Sequence, residues 1–127
     1  MSPTHLSRLE SAMRLVLDFN EAFNRQDVAG MLALVSEDCV FETSASAPEG
    51  ERVRGRADLT RYWNDFFGTS PHAHRHIEEI FGLGMRCVVR WSLEWQDEAG
   101  IKSHVRGADI FQVREGLICE RFSYVKG

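Results

Sequence analysis

Met85–Trp95 reads MRCVVRWSLEW, and its alternation decides the fold class. Cys87, Val89, Trp91, Leu93 and Trp95 fall on one side of a two-residue period. Arg86, Arg90, Ser92 and Glu94 fall on the other, with Val88 as the exception. Only an extended chain turns alternate side chains to opposite faces, so this is a strand with one buried face and one polar face. The same period continues on both sides of it. His74–Phe81 precedes it, and Ser103–Val113 and Leu117–Val125 follow. The separators GLG, QDEAG and REG are turn-like, so the C-terminal half predicts an antiparallel meander.

Upstream the period is that of a helix. Leu6, Leu9, Met13, Val16, Leu17 and Phe23 recur at intervals that mark one apolar helix face of about five turns. Asn24–Asp27 breaks it, and Asp27 is placed to cap a second helix through Val28–Val35, with Val28, Met31, Leu32 and Val35 inward. CVFET (39–43) alternates as a short strand, and SASAPEGERVRG (44–55) reads as a polar loop. A third helix is expected from Arg56 to Phe67, burying Leu59, Tyr62, Trp63, Phe66 and Phe67 and ending at Gly68. Three helices followed by a meander predict one α+β domain over residues 1–127, its helices packed on one face of an antiparallel sheet.

Composition excludes several classes of partner. The 127 residues suffice for one domain with a core, and the 43% apolar and 27% charged fractions are those of a globular protein. A formal charge of -4 without a basic run argues against nucleic acid. No apolar run reaches the roughly 20 residues that span a bilayer, and MSPTHLSRLESAMR lacks the order of a secretory signal, so a cytoplasmic location is expected. Cys39, Cys87 and Cys119 are odd in number and form no CxxC, which suits reduced thiols in or near the core.

Asp109, in VRGADIFQV, shares its face with Val105, Gly107, Phe111 and Val113. A carboxylate on an apolar face is costly unless paired, hydrogen-bonded or protonated. It is therefore either a structural Asp satisfied by an Arg, a Tyr hydroxyl or backbone amides, or a pocket acid that polarises a ligand oxygen. SPHAHRHI (70–77) sets His72, His74 and His76 at alternate positions. Three ligands spaced about 6.7 Å apart along one strand do not converge on one ion. A metal site would need two of them with Glu78, His104 or Asp109, so no metal and no cofactor is expected. Ser44 and Ser46 have no His–Asp arrangement beside them that would make a nucleophile. Arg52, Arg54 and Arg56 flank the loop and read as solvated, with an anion at a cavity mouth as the alternative.

FNRQDVAGMLALVSEDCVFE, VRGRADLTRYWNDFF, CVVRW and the closing GADIFQVREGLICERFSYVKG together resemble the SnoaL-like branch of the nuclear-transport-factor-2-like superfamily. The resemblance covers about Met13 to Gly127. It implies a cone-shaped domain in which a curved antiparallel sheet wraps around the helices and leaves an apolar pocket, and a homodimer formed through the outer sheet face. Ketosteroid isomerases of this superfamily hold the substrate oxygen with a Tyr and a protonated Asp, and move the proton with a second Asp. By the resemblance Asp109 stands at the protonated-Asp position, Phe19 at the Tyr and Thr43, beside Glu42, at the proton-moving Asp. Two of three groups are replaced, which disfavours steroid isomerisation by that route. The epoxide hydrolases use an Asp–Arg–Asp set; Arg90 matches its Arg, but Ser92 and Ser123 stand near the acids and alternation turns Arg90 away from Trp91. The polyketide cyclases use an Asp and a His, which Asp109 and His74 or His76 could supply.

The resulting expectation is a pocket for an apolar, carbonyl-containing small molecule and an isomerase, cyclase or lyase type of acid–base chemistry. Asp109 would be the acid, His74 or His76 the base, and Phe19, Phe23, Thr43, Trp63, Phe67, Trp91 and Phe111 would line the pocket. The alternatives are a binding module without chemistry and a dimeric interaction protein.

Overall fold

The computed structural model describes residues 3–45 and 48–126, and side chains from Glu10 onward. Leu6 and Leu9 of the expected first stripe, and Ser46, fall outside those side chains. The elements are α1 (Pro3–Asn24), α2 (Val28–Leu32), β1 (Val35–Glu42), β2 (Arg52–Arg54), α3 (Gly55–Thr69), β3 (His74–Leu83), β4 (Arg86–Gln96), β5 (Lys102–Arg114) and β6 (Leu117–Val125). Three helices and a six-stranded sheet make an α+β domain. No helix among the described residues is long and apolar enough to cross a membrane.

Helix α1 buries Ala12, Val16, Phe19, Ala22 and Phe23, while Leu17, expected in that stripe, is exposed. The buried face is turned slightly from the one the larger side chains suggest, because small Ala12 and Ala22 let the helix lie close on the sheet. The helix ends where Gln26 takes a left-handed φ of 57°. The Gln26 and Asp27 amides return to the Phe23 and Ala22 carbonyls, each at 2.9 Å. The Asp27 carboxylate then caps α2, accepting from the Gly30 amide at 3.0 Å. Helix α2 stops at Leu32, short of the expected Val35, because the Leu34 carbonyl accepts from the Ile118 amide at 2.9 Å and Val35 opens β1. Helix α3 passes through Gly68 to Thr69. The Thr69 hydroxyl meets the Asp65 and Phe66 carbonyls at 3.2 Å, and Pro71 prevents a further turn.

The sheet order is β2-β1-β6-β5-β4-β3. The meander β3–β6 is antiparallel, as the sequence predicts. Two features of the sheet differ. Arg52–Arg54, read as loop, forms β2 and buries Val53 against β1. Strand β1 lies parallel to β6, so the sheet is mixed rather than wholly antiparallel. Alternation reports which face a residue takes but not which strand lies beside it. Register shifts at Val35/Val40, Ile77/Glu79 and Gln112/Val113 bend the sheet around the helices. Glu115 and Gly116, with φ of 54° and 76°, make the two-residue turn between β5 and β6.

The inner face carries the core, in which Phe19 packs edge-on against Phe41, Trp63 and Phe111 at 5.9–6.5 Å. The outer face has an apolar row: Phe81, Val88, Ile110 and Phe122 are register neighbours across β3, β4, β5 and β6. Val88, the exception to the alternation of β4, belongs to that row.

Candidate functional site

A cavity of about 330 Å³ lies between α3 and the inner sheet face. Helix α3 supplies Tyr62, Trp63 and Phe66; β4 supplies Trp91, Leu93 and Trp95; β5 supplies Val105. Thr43, Ser44, Ser70, Ser123 and Val125 complete much of the wall, and two arginines enter it, Arg75 from β3 and Arg121 from β6. The placement follows from register. Phe111 and Arg121 are cross-strand partners, as are Asp109 and Ser123, so Asp109 and Arg121 are diagonal neighbours on one face. Gly107 stands opposite Trp91 on β4, and a Cβ there would lie 2.7 Å from the indole ring, so glycine is what lets Trp91 lie flat across β5.

Arg121 Nε donates to Asp109 Oδ2 at 2.9 Å and Nη2 lies 2.8 Å from the same oxygen in an ion pair, with the two side chains 4% and 1% exposed. The guanidinium also lies over Phe41 and Trp63, 5.6 and 5.5 Å from the ring centroids. Asp109 is thus paired through Oδ2, and it stands behind Arg121 rather than in the cavity wall.

Arg75 is buried and has no carboxylate within ion-pair distance among the described residues. Its guanidinium stacks over Phe23 at 4.0 Å and faces Trp91 at 5.3 Å. Two asparagines of α1 fix its backbone: Asn24 accepts from the Arg75 amide at 2.7 Å and donates to its carbonyl at 3.0 Å, and Asn20 donates to the same carbonyl at 3.3 Å. Burial, with the repulsion of Arg121 adding to it, pulls the Arg75 pKa down from its ordinary value to about 10. Asp109 Oδ1, Asn20 Oδ1 and Arg75 Nε have no protein partner. Their three residues border a void of about 10 Å³, a size and polarity that one bridging water would satisfy.

The indole Nε1 atoms of Trp63 and Trp91 are also buried and unpartnered. Burial pushes the Tyr62 hydroxyl above its usual pKa of 10.0, against the pull of Arg121 and Arg75, so it keeps its proton at neutral pH. The polar residues that line the cavity are the two arginines and the hydroxyl residues Thr43, Ser44, Tyr62, Ser70 and Ser123. No carboxylate or imidazole lines it among the described residues.

Of the side chains expected to line a pocket, Thr43, Trp63 and Trp91 do so. Phe19, Phe23 and Phe111 are core residues behind it, and Phe67 packs on Phe23 and Trp63 at its edge. Arg75 and Arg121 were missed. Arg75 stands in SPHAHRHI out of phase with the histidines, and its neighbours in phase, Ala73 and Ile77, are apolar; that phase was the available signal. His72, His74 and His76 are exposed. His76 Nε2 meets Glu94 Oε1 at 3.1 Å and its ring lies 4.4 Å from that of His74. The alternation that sends Arg75 inward sends these histidines outward, so the expected Asp109–histidine pair is not formed. The described residues hold no group of three His, Cys, Asp or Glu that could bind a metal. Arg90 faces outward and pairs with Glu78 and Glu79, Arg52 pairs with Glu42, and Arg56 holds the Val35 carbonyl. All three cysteines are free and buried.

The profile of the SnoaL-like domain matches residues 16–121. No curated protein matches the chain. Among solved structures, an NTF2-like protein of unknown function from Mesorhizobium loti is 33% identical, with 94% of each chain covered and a TM-score of 0.79. A Mycobacterium tuberculosis protein in complex with estradiol-17β-hemisuccinate is 21% identical over 90% of this chain and 92% of that one, with a TM-score of 0.79. A Jannaschia protein described as a SnoaL-like polyketide cyclase is 16% identical over 99% and 90%, with a TM-score of 0.82. The last two are likenesses of fold.

Proposed function

This chain belongs to the SnoaL-like domain family, and on that premise we propose that its cavity binds an apolar, carbonyl-bearing small molecule whose oxygen is polarised by Arg121. One observation carries the reading: an aromatic cavity of about 330 Å³ whose charged lining among the described residues is two arginines. Such a site complements a ligand with apolar rings and acceptor oxygens. The hemisuccinate steroid held by the M. tuberculosis neighbour is a ligand of that kind. Asp109 is then a positioning residue, holding the Arg121 guanidinium by one hydrogen bond and an ion-pair contact to a single oxygen. Calorimetric titration of the protein with 2-acetylnaphthalene and with 2-ethylnaphthalene tests this. A charge-assisted bond to the oxygen should favour the ketone by about tenfold or more. Equal affinities would remove the role of Arg121.

Acid–base turnover of the bound carbonyl compound is the second reading. Tyr62 favours it, because it brings a proton-donating hydroxyl to a cavity that two guanidinium groups also line. Exchange of the ketone's α-hydrogens in heavy water, followed by NMR, would show turnover if it is lost in Tyr62→Phe. Exchange at the buffer rate would leave a binding module.

The reading includes a homodimer through the outer sheet face, where the Phe81–Val88–Ile110–Phe122 row offers a continuous apolar strip and Tyr124 is 55% exposed. Light scattering should give a dimer that Ile110→Lys dissociates; a wild-type monomer would end this part of the reading.

A further inference from the structure

Resting on the reading of this cavity as a binding site, we infer that its ligand is an anion: an apolar organic acid whose carboxylate is received by Arg75. The charges of the site do not balance without one. Two guanidinium groups enter the cavity and share one neighbouring carboxylate, Asp109, which pairs directly with Arg121 and attracts Arg75 only from beyond ion-pair distance, so one positive charge is left over. The remaining charge sits on a residue 5% exposed. A buried unpaired cation is expensive, and an arginine kept for structure alone normally has its acid beside it, as Arg121 has.

The surroundings of Arg75 are those of a prepared receiver. Phe23 at 4.0 Å and Trp91 at 5.3 Å attract the cation while leaving it unneutralised. Asn20 and Asn24 clamp its backbone from α1, so the strand cannot move to relieve the charge. Water in the adjoining void could satisfy Nε but carries no charge. A carboxylate supplies what is missing, in the planar geometry that guanidinium binds best. The walls formed by Trp63, Phe66, Trp91 and Leu93 take the apolar body of the acid.

The test compares 2-naphthoate with 2-acetylnaphthalene by calorimetry at pH 7, in wild type and in Arg75→Met. Naphthoate should bind about tenfold or more tighter than the ketone. Arg75→Met should bring naphthoate down to the ketone's affinity or below, so that the ratio of the two affinities falls by about tenfold or more. Should that variant fail to fold, Arg75→Lys keeps the charge and should keep a reduced preference. The wild-type ratio is decisive in either case. If the ketone binds and naphthoate binds no better, or if the preference survives in Arg75→Met, the anion inference falls and the carbonyl-binding reading stands. If neither compound binds, both fall.

Discussion

Replacing Asp109 by Asn keeps the size of the side chain and removes the carboxylate that pairs with Arg121. Both guanidinium nitrogens that now reach Asp109 Oδ2, at 2.9 and 2.8 Å, would face a neutral amide in a site where the two side chains are 1% and 4% exposed. At an effective dielectric of about 20, a charge separation of about 4 Å is worth about 4 kcal/mol. Breaking one side of a buried pair costs about 3–5 kcal/mol. Arg75, which already repels Arg121, adds to the cost. Against a total stability of about 5–15 kcal/mol this is a large loss, equivalent to a fall in Tm on the order of 10–15 °C for a chain of this length. Urea unfolding followed by tryptophan emission measures it. The companion variant Asp109→Leu with Arg121→Met removes both charges and should stand within about 1 kcal/mol of wild type or above it. The coupling between the two sites should then exceed about 2 kcal/mol. An Asp109→Asn protein within 1 kcal/mol of wild type would refute the reasoning, because the pair could not then be buried as described.

Arg75→Met should stabilise the ligand-free protein: a guanidinium whose pKa is pulled down to about 10 by burial carries about 3 kcal/mol of strain in its charged form. Lost stacking on Phe23 and Trp91 returns about 1–2 kcal/mol, leaving a rise in Tm of roughly 5 °C by calorimetric scan. Cys87, whose thiol burial pushes up to about 11, and Cys39 and Cys119, raised for the same reason, should resist Ellman's reagent at pH 8 until the protein is unfolded. Glu78 is held below its ordinary 4.5 by the hydrogen-bonded Arg106. Its contribution is present above pH 4.5 and is lost as pH falls through the lowered value. The Tm of wild type should therefore fall further on that acid limb than the Tm of Glu78→Gln.

Fold class was legible because period is a local property. The change from 3.6 to 2 near Ser70 separates the helices from the meander, and Leu117–Val125 is the strand β6 to the residue. Strand β2 was hidden by its length, since three residues cannot display a period and only Val53 of the three faces inward. The parallel pairing of β1 with β6 joins segments some 80 residues apart and leaves no local mark. In the site, Asp109 stood out because a charge on an apolar face is conspicuous, and the structure answers with Arg121. Arg75 was obscured by the three histidines around it, which drew attention to the wrong phase of the same strand. Phe19, Phe23 and Phe111 show the limit of reading a pocket from aromatic content: the same apolarity that lines a cavity also fills the core behind it.

The central claim is that Arg121, positioned by Asp109, takes the oxygen of a carbonyl ligand inside the aromatic cavity. A crystal structure of the wild-type protein soaked with 2-acetylnaphthalene tests it most directly. The account predicts the ring system between Trp63 and Trp91 with the carbonyl oxygen about 2.7–3.2 Å from an Arg121 nitrogen. A ketone bound with its oxygen turned away from Arg121, or seated on the outer face near Tyr124 while the cavity stays free of it, would contradict the account.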